Sequence, residues 1–134
     1  MLSSRPDAPL ARHLLAEYYG CDPGRLDDPR EVEAWVRGAA AAAGTTLLQV
    51  HLHRFAPQGV SGVAILAESH LAVHTWPEHG FASVELYVCG TRGDPDAGDA
   101  WLRQALRPAH VVVRTLPRGD PTLVARYASG APSA

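Results

Sequence analysis

Between residues 45 and 89 the chain alternates apolar and polar side chains in four runs, parted by nothing longer than the tetrapeptides APQG and PEHG. A period of two puts successive side chains on opposite faces, so this third of the chain is committed to β-sheet. The runs are TTLLQVHLHRF (45–55), VSGVAILA (60–67), HLAVHTW (70–76) and FASVELYVC (81–89), the second and third open to being one continuous strand. In the first, Leu48, Val50 and Leu52 share a face and His51, His53 and Phe55 take the other. In the last, Phe81, Ser83, Glu85, Tyr87 and Cys89 lie together.

Helices flank these strands. In DDPREVEAWVRGAAAAAG, Asp28 is placed to cap, Pro29 takes the first turn, and Glu31 stands where a capping box needs a carboxylate. Val32, Trp35, Val36, Ala39, Ala40 and Ala43 form one apolar stripe, and Gly44 can end the helix. DAGDAWLRQALR (96–107) reads as a second helix and HVVVRTL (110–116) as a last strand. LARHLLAEYYGCD (10–22) is divided: its propensities favour helix and its aromatic end favours strand. Residues 1–9 and 128–134 read as loose tails. The order suggests an α+β two-layer sandwich, an antiparallel or mixed sheet with helices on one face.

A chain of 134 residues has room for one domain and one core. Its formal net charge of −2 argues against nucleic acid or an anionic membrane as the main partner. No apolar run nears the ~20 residues that span a bilayer. The first residues lack the apolar core of an export signal, so a cytoplasmic location is expected, with Cys21 and Cys89 as free thiols. All twelve basic residues are arginine. Without lysine the chain cannot anchor pyridoxal phosphate, and any amine–carbonyl chemistry needs another electrophile.

The stretch AESHLAVHTWPEHGFASVELYVCG (67–90) concentrates reactive side chains, and three chemistries compete for it. Histidines at 51 and 53, or 70 and 74, share strand faces as metal ligands would, yet no HExxH or CxxC spacing appears. Cys89 and His74 could pair as nucleophile and base if their strands are neighbours, whereas Gly59-Val60-Ser61-Gly62 is too short for a nucleophile elbow. The third chemistry acts on the chain itself. The Ser69 hydroxyl can attack the carbonyl of Glu68, turning the peptide into an ester. Removal of the serine α-proton then breaks the chain by β-elimination. A new N-terminal dehydroalanine loses ammonia and becomes a pyruvoyl group, the missing electrophile. Ser61 and His74 could move the protons.

FAPQGVSGVAILAESHLAVHTWPEHGFASVELYVCG strongly resembles the short prokaryotic S-adenosylmethionine decarboxylase proenzymes, through GVSG, ESH, HTWPE and CG at these spacings. The likeness runs upstream through ARHLLAEYYGCDP and downstream to about residue 118. It implies a single domain over 1–134, cut between Glu68 and Ser69 into a β fragment (1–68) and an α fragment (69–134), with Ser69 converted to the pyruvoyl group that forms the Schiff base.

By the same resemblance, His74 is the processing base, Ser61 assists processing, and Cys89 protonates the product carbon. Phe55 and Trp76 sandwich the adenine, and Glu78 holds the ribose hydroxyls. The family fold makes 10–19 a strand. A homodimer of αβ units with active sites at its interface is expected, with S-adenosylmethionine as substrate, a product that donates aminopropyl groups to spermidine and other polyamines, and no metal. The chain departs from the family in lacking a glycine before Arg12 and an aromatic and lysine after Asp94-Pro95. Decarboxylation of ornithine or arginine on the same scaffold, and an unprocessed ligand-binding homologue, are the alternatives.

Overall fold

The computed structural model describes residues 8–90 and 92–128, so most of the two tails lies outside the described residues. Six strands form one sheet: β1 Ala11–Tyr19, β2 Leu47–Arg54, β3 Val60–Leu66, β4 Ser69–Trp76, β5 Phe81–Cys89 and β6 His110–Arg118. Their order is β2-β3-β4-β5-β1-β6, and every neighbouring pair is antiparallel. The divided segment is therefore strand β1, inserted between β5 and β6. The two middle runs are separate strands, joined by a tight turn at Ala67-Glu68.

Helices α1 (Pro29–Ala42) and α2 (Pro95–Leu106) pack on each other and on one face of the sheet. The predicted stripe of α1 is buried throughout, and it shares one core with Leu14, Ala16 and Tyr18 of β1, Leu71 and Val73 of β4, and the even-numbered residues of β5. Asp28 caps α1 by accepting from the Arg30 amide at 2.9 Å. Glu31, expected to complete a capping box, instead has its carboxylate 3.9 Å from Arg25. Gly38 lets the helices approach, because a Cβ there would collide with the Trp101 ring. A buried polar clamp ties β1 to α2: the Tyr18 hydroxyl donates to Asp99 at 2.6 Å, and Arg103 holds the other carboxylate oxygen at 3.0 Å. Burial and that bond to Asp99 push the Tyr18 pKa up.

Leu48 does not share the inward face. The register shifts between Leu47 and Gln49, and the extra residue of this bulge turns outward, 59% exposed, while Leu47, Val50 and Leu52 pack on the core. A third helix, α3 (Pro121–Ala128), follows β6 and has no buried residue. Asp120 caps it by accepting from the Thr122 and Leu123 amides.

The face opposite α1 and α2 is left largely open. It carries the histidines of the strands, Glu17 and Glu85 amid Leu15, Val63, Ile65, Ala72 and Val112, all of them partly or well exposed.

Candidate active site

Alternation along β4 should turn Ser69 inward with Leu71 and Val73, because Ser69 stands opposite the buried Val88 of β5. Its backbone breaks the pattern. Ser69 has φ of 150°, a region that side chains bearing a Cβ rarely enter, and its Oγ reaches His70 Nδ1 on the open face at 3.5 Å. The strain falls on the residue that closes the Ala67-Glu68 turn, next to the Glu68–Ser69 bond.

Both ends of Glu68 are held. Its carbonyl accepts from the Cys89 amide at 2.9 Å. Its side chain is buried and accepts from the Thr46 amide at 2.9 Å, with the Thr46 hydroxyl at 3.5 Å. A carbonyl with a fixed donor is already polarised toward a tetrahedral oxyanion, and a strained neighbouring residue gains when the peptide is lost. The carboxylate, turned to Thr46, is withdrawn from the serine. Cys89 is itself buried on the same strand face as Tyr87 and Glu85, and neither it nor Cys21 forms a disulfide. Cys21 is a core thiol, pushed up to about 11 by burial.

A second group lies at the far end of β4. Ser61 of β3 stands opposite His74, and Ser61 Oγ and His74 Nδ1 are hydrogen-bonded at 2.8 Å. Trp76 follows, 40% exposed, its ring 6.3 Å from His74 and 5.3 Å from Phe81. Glu78 is exposed in the short 3₁₀ turn Pro77–His79. Phe55, 46% exposed, leaves the end of β2 against His53 at 4.6 Å.

Two residues that sequence reasoning passed over hold this end in place. The buried Thr75 hydroxyl accepts from the Val60 amide at 2.8 Å and donates to the Leu26 carbonyl at 2.7 Å, so the threonine of HTWPE is a staple. Asp27 accepts from the Gly59 amide and from Arg54, both at 2.9 Å, and ties down the loop after Phe55. Those bonds, Gly59 first, hold its carboxyl below the ordinary range.

The structure thus brings together Glu68, Ser69 and Cys89 at one end and Ser61, His74 and Trp76 at the other. It does not bring His74 to Ser69. Five strand steps part them, about 16 Å along β4. Nor does it make the Cys89–His74 pair that a thiol hydrolase would need, since His74 stands opposite Ser83 while Cys89 lies beyond Val88, the partner of Ser69. Between the two groups the open face dips into a cavity of about 460 Å³ walled by Glu17, Ala72, His74, Ser83, Glu85 and Arg114. Ser69 is not on its wall. Among the described residues no three His, Cys, Asp or Glu side chains gather as metal ligands, and His51, His53, His79 and His110 are all exposed.

Residues 12–119 match the family described as S-adenosylmethionine decarboxylase. The chain belongs to that family. It is 44% identical over 110 residues to S-adenosylmethionine decarboxylase proenzyme 2 of Halalkalibacterium halodurans, covering 82% of this chain and 87% of the relative. Against the S-adenosylmethionine decarboxylase proenzyme of Thermosipho africanus, identity is 44% over 104 residues, 78% of this chain and 80% of the relative. The crystal structure of the adenosylmethionine decarboxylase from Aquifex aeolicus superposes with a TM-score of 0.79 at 34% identity, over 84% of this chain and 92% of that one. The strand assigned to 10–19 by resemblance is β1, and the two-layer α+β architecture agrees with that solved structure. The chain is accordingly an enzyme of the carboxy-lyase class. No described helix is long and apolar enough to cross a membrane.

Proposed function

We propose that this chain cuts itself between Glu68 and Ser69 and then decarboxylates S-adenosylmethionine with the pyruvoyl group made from Ser69. The observation that carries this reading is the Glu68–Ser69 peptide itself: a strained serine whose hydroxyl adjoins a carbonyl already held by the Cys89 amide. Oγ attacks the Glu68 carbonyl carbon, the carbon–nitrogen bond gives way, and an ester replaces the peptide. Loss of the Ser69 α-proton expels the Glu68 carboxylate, and water replaces the nitrogen of the resulting dehydroalanine as ammonia leaves.

The residues present fit such a group, since Ser69 supplies its carbons and the turn supplies the polarised bond. Once formed, a pyruvoyl ketone supplies an electron sink for the bond to the substrate carboxylate. Cys89, beside it on β5, delivers the proton that quenches the product carbon. Phe55 and Trp76 offer aromatic faces to adenine and to the sulfonium charge, and Glu78 offers acceptors to the ribose hydroxyls.

Two copies are needed. The resemblance makes His74 and Ser61 the processing pair, yet a proton cannot pass directly over about 16 Å. A second copy laid on the open sheet face brings its own Ser61–His74 pair to this chain's Ser69. Exposed Ile65, Trp76, Tyr19 and Leu116 on that face favour such a partner. The assembly is a homodimer of αβ units with composite sites at its interface. Ornithine or arginine decarboxylation would leave the Phe55, Trp76 and Glu78 contacts without purpose.

Mass spectrometry of purified protein tests the reading. It should show fragments 1–68 and 69–134, the second blocked at its N-terminus and reactive toward borohydride, with carbon dioxide released from S-adenosylmethionine and not from ornithine or arginine. Ser69→Ala should stay whole. An intact wild-type chain without a reactive carbonyl would end the proposal.

A further inference from the structure

One imidazole already touches the Ser69 hydroxyl within the chain, and it is not His74. His70 Nδ1 lies 3.5 Å from Ser69 Oγ, and His70 Nε2 lies 2.9 Å from Glu85 Oε1. An ionised carboxylate only accepts, so Nε2 carries the hydrogen and Nδ1 turns its lone pair toward the hydroxyl. The Tyr87 ring stacks on His70 at 5.5 Å and 11°, which fixes the imidazole plane. Glu85 is fixed in turn: its other oxygen accepts from His13 Nε2 at 3.4 Å, and Arg118 donates to His13 Nδ1 at 3.0 Å. Hydroxyl, imidazole and carboxylate therefore stand in the order of contact that activates a serine in hydrolases.

We propose that His70, oriented by Glu85, is the base that takes the Ser69 hydroxyl proton in the first step of self-cleavage; the assignment rests on the self-processing reading above. As Oγ bonds to the Glu68 carbonyl carbon, its proton passes to His70 Nδ1. The oxyanion stays on the Cys89 amide. As the carbon–nitrogen bond breaks, His70 returns the proton to the Ser69 nitrogen, so peptide becomes ester with no net proton gained or lost. The long 3.5 Å contact is the looser geometry expected of a catalytic pair before its reacting complex forms.

The surroundings suit the role. Ile65 of β3, opposite His70, is neutral, and the titratable or charged groups facing this ring are Glu85 and Tyr87 of β5, backed by His13 of β1 and Arg118 of β6. Burial alone would raise the Glu85 carboxyl, but its bonds to His70 and His13 outweigh that and hold it below the ordinary range, so it remains an acceptor. The division of labour also resolves the distance problem: the acyl shift has a base in the same chain, which leaves His74 of the second copy for the later proton.

The test is a time course of scission in newly made chains, with hydroxylamine added to cut any ester. In His70→Ala, scission should slow at least about 100-fold, and the uncut chain should resist hydroxylamine because no ester has formed. Scission at the wild-type rate, or an accumulating hydroxylamine-labile ester, would overturn the assignment, the latter by placing His70 after the acyl shift. Glu85→Ala should slow scission, because His70 Nε2 loses the acceptor that fixes the ring, and Glu85→Gln, which restores an acceptor at that place, should recover part of the rate. Scission in Glu85→Ala at the wild-type rate, or no recovery in Glu85→Gln, would remove Glu85 from its positioning role and the proposal with it; these variants also decide the matter if thermal melting shows that His70→Ala does not fold. Wild-type chains that never split would sink the self-processing reading itself, whereas equal splitting of wild type and His70→Ala sinks this inference alone.

Discussion

The two ends of strand β4 are built on different principles. At the Ser69 end, groups are half-buried and locked: Glu68 is tied at both its carbonyl and its carboxylate, and a row of hydrogen bonds runs from Ser69 through His70, Glu85 and His13 to Arg118. At the Trp76 end Phe55, Trp76 and Glu78 face solvent, and the Ser61–His74 hydrogen bond lies beside them. On the proposed reading the contrast is one of task. Breaking a peptide needs donors and acceptors placed to a few tenths of an ångström, and burial with hydrogen bonding supplies that. Stacking on a flat base needs apolar area that stays uncovered until a ligand or a second copy arrives. Neither end is a whole active site.

The comparison can be broken most decisively by mixing copies. Ser69→Ala chains and His74→Ala chains should each remain uncut alone. Co-expressed, the His74→Ala chain should be cut, because its intact Ser69 meets the His74 of its partner; mass spectrometry distinguishes the two chains. Failure to cut in verified mixed dimers would mean that the two ends do not meet across an interface.

A smaller effect separates the roles held at the Ser69 end. Cys89→Ala keeps the amide that holds the Glu68 carbonyl, so scission should persist while turnover falls about 100-fold with the lost proton donor. Fragment yield and carbon dioxide release, measured on the same preparation, check this. Equal loss of both would mean that the thiol works in scission too.

The smallest effect concerns the support of the exposed end. Asp27 has its pKa depressed in the folded chain by Gly59 and Arg54, so its contribution is present above the unfolded carboxyl pKa and is lost as pH falls through the folded value. Asp27→Asn should therefore lower denaturant stability at pH 7 and make little difference well below about pH 3.9. It should also weaken substrate binding more than scission, since the loop it anchors follows Phe55. A stability loss that is the same at both pH values would deny the carboxylate this role.

The strands, the helical stripe of α1 and the reactive stretch were legible because each is written in local spacing: a face repeats every two residues in a strand and every three or four in a helix. The family motifs were legible for the same reason, since ESH and HTWPE are short and contiguous. The extra residue at Leu48 and the short helix α3 were not, because a bulge is visible only against its partner strand and eight residues carry too little periodicity. Thr75 and Thr46 looked like ordinary strand residues. Their importance comes from Leu26, Val60 and Glu68, which are distant in the chain.

By itself the sequence determined most of which side chains share a face, Leu48 excepted, and singled out the Glu68–Ser69 bond that we propose is cut. The tertiary structure alone decided register. Antiparallel pairing set His74 against Ser61 and Ser83, brought Glu85 to His70 and left Ser69 far from the histidine its motif assigns to it. Register follows from long-range strand pairing and turn geometry, and no local period encodes it.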